Sequence, residues 1–322
     1  MKMIEKLQSI MILIAVGIGL LLGQISFFEQ NADTLILPFL LLMLYGLFLT
    51  VPINNIKSAL KNIKFLSIST MINFVWTPLL AWGLGAIFLS DQPALWLGFI
   101  LFLVTPCTDW YLIFTSIAKG NMPLSTSLLP VNLILQVLFL PIYLFIFAGT
   151  IETVDFTTMI ESVLFVLFAP FLLANVTRYL FRKNKTFLKE KLVPFFSSSQ
   201  IVFLCSAIVA MFASQGDYLL NNPEVILLIL MPLLFFFIIN FIVAQTAGKF
   251  FEFSYEDRVS LNMTIVARNS PIALAIVVSA FPDQPLIALA LIVGPLIELP
   301  VLAIVAQALL RIRKRSVVVK KR

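Results

Sequence analysis

Residues Leu103 to Asn121 read LVTPCTDWYLIFTSIAKGN. The run lies inside a long apolar span, yet Pro106, Cys107 and Asp109 fall within four positions of it. A charge near the centre of a bilayer costs about 2.5–3.5 kcal/mol even on the lenient insertion scale. Proline removes a backbone donor and opens the helix ladder, leaving polar groups that lipid cannot satisfy. Such a break is tolerated only where the backbone lines a protein cavity, so the stretch predicts a half-broken helix around a small binding site. Ala267 to Leu274, ARNSPIAL, repeats the pattern near the other end of the chain. Two interrupted helices in corresponding positions of two halves point to the site of a secondary transporter.

Composition sets the class. Of 322 residues, 61% are hydrophobic and only 12% charged, more apolar content than the interior of a soluble domain of this length can hold. The chain therefore reads as a polytopic membrane protein. With no histidine, and with Cys107 and Cys205 as the only cysteines, neither a disulfide framework nor a structural metal site is expected. Any proton-coupled step has to use carboxylates, because no imidazole is available. MKMIEKLQ and its following apolar run lack a small-residue cleavage site, so they predict a first span rather than a signal peptide.

A span needs about 20 apolar residues, and ten such runs fall at 9–28, 34–52, 65–89, 93–117, 123–148, 159–180, 195–214, 224–248, 259–281 and 285–310. Taking their ends alternately, one side receives Lys2 and Lys6; Lys57, Lys61 and Lys64; Lys119; Arg178 through Lys191; Lys249 and Arg258; and the tail from Arg311. Loops on the other side carry acids such as Glu29, Asp33, Asp91, Glu152, Asp155, Glu161, Asp217, Glu224 and Asp283, and no Lys or Arg. The positive-inside rule then puts both termini in the cytoplasm. The basic tail, 311–322, reads as a stop signal in contact with anionic lipid rather than a nucleic-acid or protein site. Five spans per half is an odd number, so the second half enters the membrane inverted. The expected fold is an all-α membrane protein of ten helices in two inverted five-helix repeats, with broken helices 4 and 9 crossing in the core.

Three ionisable side chains are expected at membrane depth: Asp109, Arg268 and Glu298. Asp109 and Arg268 fall where the broken helices cross, and they are candidates to pair. Glu298, within GPLIELP at 294–300, is then the acid without a basic partner, in surroundings suited to binding and releasing a proton. Asn132, beside Pro130 in the fifth span, occupies the corresponding place in the first half. Cys107 follows Pro106, where backbone should border a cavity, and its thiolate is a ligand for soft, thiophilic species. Asn269 and Ser270 lie next to the carbonyls that Pro271 frees. Asn73, Trp76, Thr77, Gln136, Asn240 and Gln245 are explained equally well by hydrogen bonds between helices.

GPLIELPVL at 294–302, ARNSPIALAI at 267–276 and the spacing from Cys107 to Ala118-Lys119-Gly120 resemble the ten-helix arsenical-resistance permeases, which efflux arsenite and belong to the bile acid/arsenite/riboflavin transporter superfamily. The resemblance implies that Cys107 and Glu298 are the functional residues. It also implies a panel of spans 1, 2, 6 and 7 (1–52 and 159–214) against a core of spans 3–5 and 8–10 (65–148 and 224–310). The expected activity is export of arsenite, and of antimonite, across the cytoplasmic membrane in exchange for protons. Cys107, Asp109, Asn269 and Ser270 would contact substrate; Glu298, Arg268 and Asn132 would couple the ion. No ATP-binding loop is present, so an ion gradient is the expected drive, with no cofactor. The alternative is a sodium-coupled organic-anion symporter of the same superfamily. An enzyme is not expected, because Cys107 has no histidine base and Asp109 no second buried aspartate.

Overall fold

In lipid, a continuous apolar run must satisfy its own backbone, and helix is the form that does so locally. The computed structural model describes residues 3–50, 61–108, 110–148, 156–221, 224–282 and 284–320. Lys2, Lys57, Asp109, Glu152, Asp155, Asp283, Lys321 and Arg322 lie outside the described residues. The described helices of eight residues or more are α1 (Met3–Leu22), α2 (Asp33–Thr50), α3 (Ile63–Phe88), α4 (Pro93–Leu103), α5 (Trp110–Ile117), α6 (Met122–Ala148), α7 (Phe156–Leu180), α8 (Val193–Asn221), α9 (Glu224–Phe250), α10 (Tyr255–Val266), α11 (Ser270–Ala280) and α12 (Pro285–Lys320). Among the described residues, seven helices are long and apolar enough to cross a membrane: α2, α3, α6, α9, and the stretches Glu161–Lys183, Leu188–Ser214 and Pro285–Lys314. No named strand occurs among them; one isolated antiparallel bridge joins Pro106 to Arg268.

The two predicted interruptions are present. The fourth run forms α4 and α5 with non-helical backbone at 104–108 after α4, and the ninth forms α10 and α11. Other prolines do not break their helices. α6 continues through Pro130 and Pro141, and α12 through Pro295 and Pro300, because neighbouring helices can re-satisfy the freed groups. α12 also runs past residue 310 as far as Lys320, since Arg and Lys are good helix formers and no Gly or Pro stops it. Its Arg313 lies 3.4 Å from Glu256 and 5.0 Å from the Tyr255 ring centre, so part of the basic tail contacts the start of α10.

α1, α2, α7 and α8 pack on one another, with α2 against α8 the most extensive contact. Gly19 and Gly23 let α1 lie directly on α8, because a Cβ there would come within 2.7 Å of the Val209 carbonyl and 2.8 Å of the Ala213 carbonyl. Polar groups clasp the end of α2: Tyr45 and Thr177 hydroxyls are 2.9 Å apart, and Arg178 donates to the Phe48 and Leu49 carbonyls at 2.6 and 3.1 Å. The helices around the breaks pack as tightly. α4 crosses α12 at Gly98, where a Cβ would collide with the Ile287 carbonyl and the Ala290 side chain. Gly98→Ala is therefore expected to destabilise the protein by about 1–3 kcal/mol, read as a lower melting temperature in detergent. Gly83→Ala, whose added methyl meets nothing within 4 Å, should be neutral or slightly stabilising in the same measurement.

Candidate functional site

The two breaks are joined by backbone. Cys107 N–H donates to the Ala267 carbonyl at 3.1 Å, and Asn269 N–H donates to the Thr105 carbonyl at 2.7 Å. These two bonds flank Pro106 and Arg268, making them the non-hydrogen-bonded pair of an antiparallel bridge. In that register the central residues point their N–H positions away from the bridge. Proline loses nothing there, since the donor it lacks would have had no partner across the pair. Arg268 does have a donor, and it must be satisfied elsewhere: its N–H bonds Glu298 Oε1 at 2.9 Å. The bridge thus fixes Cys107 and Asn269, and it gives Glu298 a defined partner on the ninth run.

Arg268 and Glu298 are both 3% exposed. The guanidinium does not lean on the carboxylate. Nη1 donates to the Leu103 carbonyl at 2.9 Å, Nη2 donates to Asn73 Oδ1 at 3.0 Å, and Cζ lies 5.3 Å from the Phe236 ring centre. Leu103 is the last residue of α4, where helical carbonyls lack internal donors and the helix dipole is negative. Asn73 is delivered by a π-helical turn, Ile72–Trp76, inside α3. Such one-turn bulges occur often at functional sites, and this one also turns the Phe74 carbonyl toward the Tyr143 hydroxyl, 2.6 Å away. The expected Asp109–Arg268 pair falls on Asp109, outside the described residues, and the Arg268 partners just named are a carbonyl, an amide and a ring.

Glu298 is placed by its proline-flanked helix. Pro295 removes the N–H that the Leu291 carbonyl would have accepted, and Gly294 leaves room for the Phe102 ring, 2.6–2.8 Å from where a Cβ would sit. Leu291, Pro295 and Glu298 share a wall of a cavity of about 290 Å³. The cavity is also lined by Cys107, Thr108, Arg268, Asn269, Ser270 and Pro271. Cys107 is 2% exposed, and Asn269 Nδ2 donates to the Thr108 hydroxyl at 3.0 Å across the crossing. Cys107, Asn269, Ser270, Arg268 and Glu298 therefore meet at one place. Asn132 does not join them. It is buried on α6 and donates to the Thr264 hydroxyl at 3.1 Å, tying α6 to α10. Cys205 borders a separate apolar groove with Ala15, Val209 and Ala213.

The opposite wall holds residues that the sequence reading did not single out. Ile12 of α1, Met43 and Leu47 of α2, and Ser197, Gln200, Ile201, Leu204 and Ile208 of α8 close the cavity. A signal was present: Ser197, Gln200, Ile201, Leu204 and Ile208 follow helical spacing, and the run SSSQ at 197–200 interrupts an apolar span. Gln200 also donates to the Thr50 hydroxyl at 3.2 Å. Phe236 and the π-helical turn carried no comparable signal.

Residues 37–222 match the model of the Sodium Bile acid symporter family. The chain belongs to that family. Its relatives include the Arsenical-resistance protein Acr3 of Corynebacterium glutamicum, 27% identical over an alignment that covers 95% of this chain and 89% of that protein. An uncharacterized transporter of Synechocystis sp. is 25% identical over an alignment that covers 95% of this chain and 88% of its own length. The Arsenical-resistance protein Acr3 of Alkaliphilus metalliredigens is 24% identical over an alignment that covers 81% of this chain and 77% of that protein. The resemblance read from 267–276 and 294–302 is thereby extended to nearly the whole chain. A symporter family with helices apolar enough to span a membrane is a family of membrane transporters.

Proposed function

We propose that this chain exports arsenite, and antimonite, across the cytoplasmic membrane in exchange for protons. The observation that carries the reading is the convergence of Cys107 and Glu298 on one buried cavity at the paired breaks, in a chain related to arsenical-resistance proteins. Arsenous acid is neutral at pH 7, so its site needs a soft ligand and hydrogen-bonding groups rather than a fixed counter-charge. Cys107 supplies the sulfur. Thr108, Asn269 and Ser270 supply hydroxyl and amide groups for the arsenite oxygens. Glu298 takes up the exchanged proton, and its bond to the Arg268 N–H ties its protonation to the crossing itself.

The architecture that goes with this reading has ten spans in two inverted halves, with both termini in the cytoplasm. α1, α2, α7 and α8 form the panel, and the helices around the two breaks form the moving core. On that topology Leu47, Ser197 and Gln200 lie near the cytoplasmic ends of α2 and α8, so the cavity opens inward. Fusions of a cytoplasm-active reporter to the carboxyl terminus and to the Arg178–Lys191 connection should be active, and a reporter active only outside should be silent at both. The opposite pattern at the carboxyl terminus sinks the ten-span topology. Uptake of arsenite into everted vesicles should require an imposed proton gradient and should not respond to sodium. Sodium-dependent movement of an organic anion, with arsenite ignored, replaces this function with the symporter alternative.

A further inference from the structure

On the ten-span topology the C-terminal end of α4 falls at membrane depth, where its last carbonyls need partners within the protein. Most are capped locally. Val104 N–H takes the Ile100 carbonyl at 2.9 Å, and the Thr105 hydroxyl lies 3.3 and 3.0 Å from the Leu101 and Phe102 carbonyls. The Leu103 carbonyl is left for Arg268. Three features therefore converge on the guanidinium: a carbonyl at the negative end of a half-helix, the Asn73 side-chain oxygen, and the face of Phe236. Each attracts a cation and none is itself charged. Among the described residues, the groups that contact the guanidinium are these neutral dipoles. Half-helix ends and unwound carbonyls of this kind are what transporters use to coordinate a mobile cation.

We propose that Arg268 is a tethered cation filling a monovalent-cation site at the crossing, and that it thereby sets which ion this transporter can exchange. The side chain occupies the oxygens that an alkali ion would need, and its fixed charge repels a second cation brought into the same low-dielectric break. Arg268 then supplies a tethered positive charge at the break. A proton on Glu298, which touches the backbone of Arg268 and not its guanidinium, is the charge left to vary. Arg268 is accordingly a specificity-determining residue for the coupling ion. Removing its side chain should expose the site it fills.

The test uses purified, detergent-solubilised protein and needs no assumption about the substrate. Arg268→Ala should melt below the wild type, and millimolar guanidinium chloride should raise its melting temperature by several degrees with saturation. Choline chloride should not do so, and the wild type should respond to neither salt. A variant that no guanidinium or alkali cation stabilises beyond the choline control overturns the proposal. If Arg268→Ala cannot be recovered folded, Arg268→Lys and Arg268→Met decide the matter. Lysine keeps a tethered cation and should retain melting temperature and cation indifference, whereas methionine keeps bulk without charge and should lose stability; equal behaviour of the two overturns the proposal. In everted vesicles, a measurement that rests on the arsenite reading, Arg268→Ala should lose about tenfold or more of export, with guanidinium restoring it. Failure of arsenite export in the wild type would remove the proposed function while leaving the melting result standing. Saturable sodium or potassium dependence of wild-type transport would remove the tethered-cation role while leaving the site's chemistry for arsenite intact.

Discussion

Glu298→Gln is expected to give a folded protein that binds arsenite and exports none of it when a proton gradient is the only drive. The expectation rests on what the two carboxylate functions are. One is structural: Oε1 accepts the Arg268 N–H at 2.9 Å, and that donor points away from the Pro106–Arg268 bridge with no other partner available to it across the pair. Glutamine keeps an acceptor oxygen at the same reach, so the bond and the crossing survive. The other function is exchange of a proton, which an amide cannot perform. Glu298→Ala separates the two functions from the other direction. It leaves the buried Arg268 N–H unpaired, a loss of about 1–3 kcal/mol, and should lower the melting temperature where glutamine does not. Arsenite binding by titration calorimetry, melting temperature, and gradient-driven uptake into everted vesicles at matched expression form the measurement. Wild-type export by Glu298→Gln sinks the proton-carrier role of Glu298.

The sequence shows where the site is more clearly than how it is held. Pro106 and Pro271 mark both breaks, because a proline beside polar residues inside an apolar run has few tolerable explanations in a membrane. Glu298 stands out for the same reason. Their partners do not. Asn73 looks like any helix-facing amide in the sequence, and only the π-helical turn at Ile72–Trp76 aims it at Arg268. The Leu103 carbonyl has no side-chain signature at all. Arg268 invites pairing with a carboxylate because a buried charge usually needs one, and nothing in its neighbourhood along the chain signals the helix end, the Asn73 amide and the aromatic face that meet its guanidinium. Asn132 shows the limit of reasoning by pseudo-symmetry. It matches Glu298 in being a buried polar residue on a proline-flanked helix, but its bond to Thr264 joins two helices away from the cavity lining. Ser197 and Gln200 were legible in their spacing, and an apolar count alone passes over them.

Cys107→Ser should fold normally and lose about tenfold or more of arsenite transport, a factor of ten being about 1.4 kcal/mol of interaction. The backbone of Cys107 is set by its N–H bond to the Ala267 carbonyl at 3.1 Å, which serine keeps. Serine is close to cysteine in size, so the wall between Pro106 and Thr108 should not collapse. What changes is the ligand. Sulfur is soft and polarizable and suits a thiophilic centre, whereas a hydroxyl oxygen is hard and offers arsenic little beyond water. Cys205→Ser serves as the control, because Cys205 borders the separate groove of Ala15, Val209 and Ala213 and should leave transport unchanged. The comparison also distinguishes the two substrate classes. A carboxylate-bearing organic anion needs no sulfur at any step, so under the symporter alternative Cys107→Ser should transport as well as the wild type. Arsenite uptake by wild type, Cys107→Ser and Cys205→Ser in everted vesicles, at matched amounts of folded protein, provides the measurement. Full arsenite transport by Cys107→Ser removes sulfur from the mechanism and leaves Thr108, Asn269 and Ser270 to recognise the substrate through its oxygens alone.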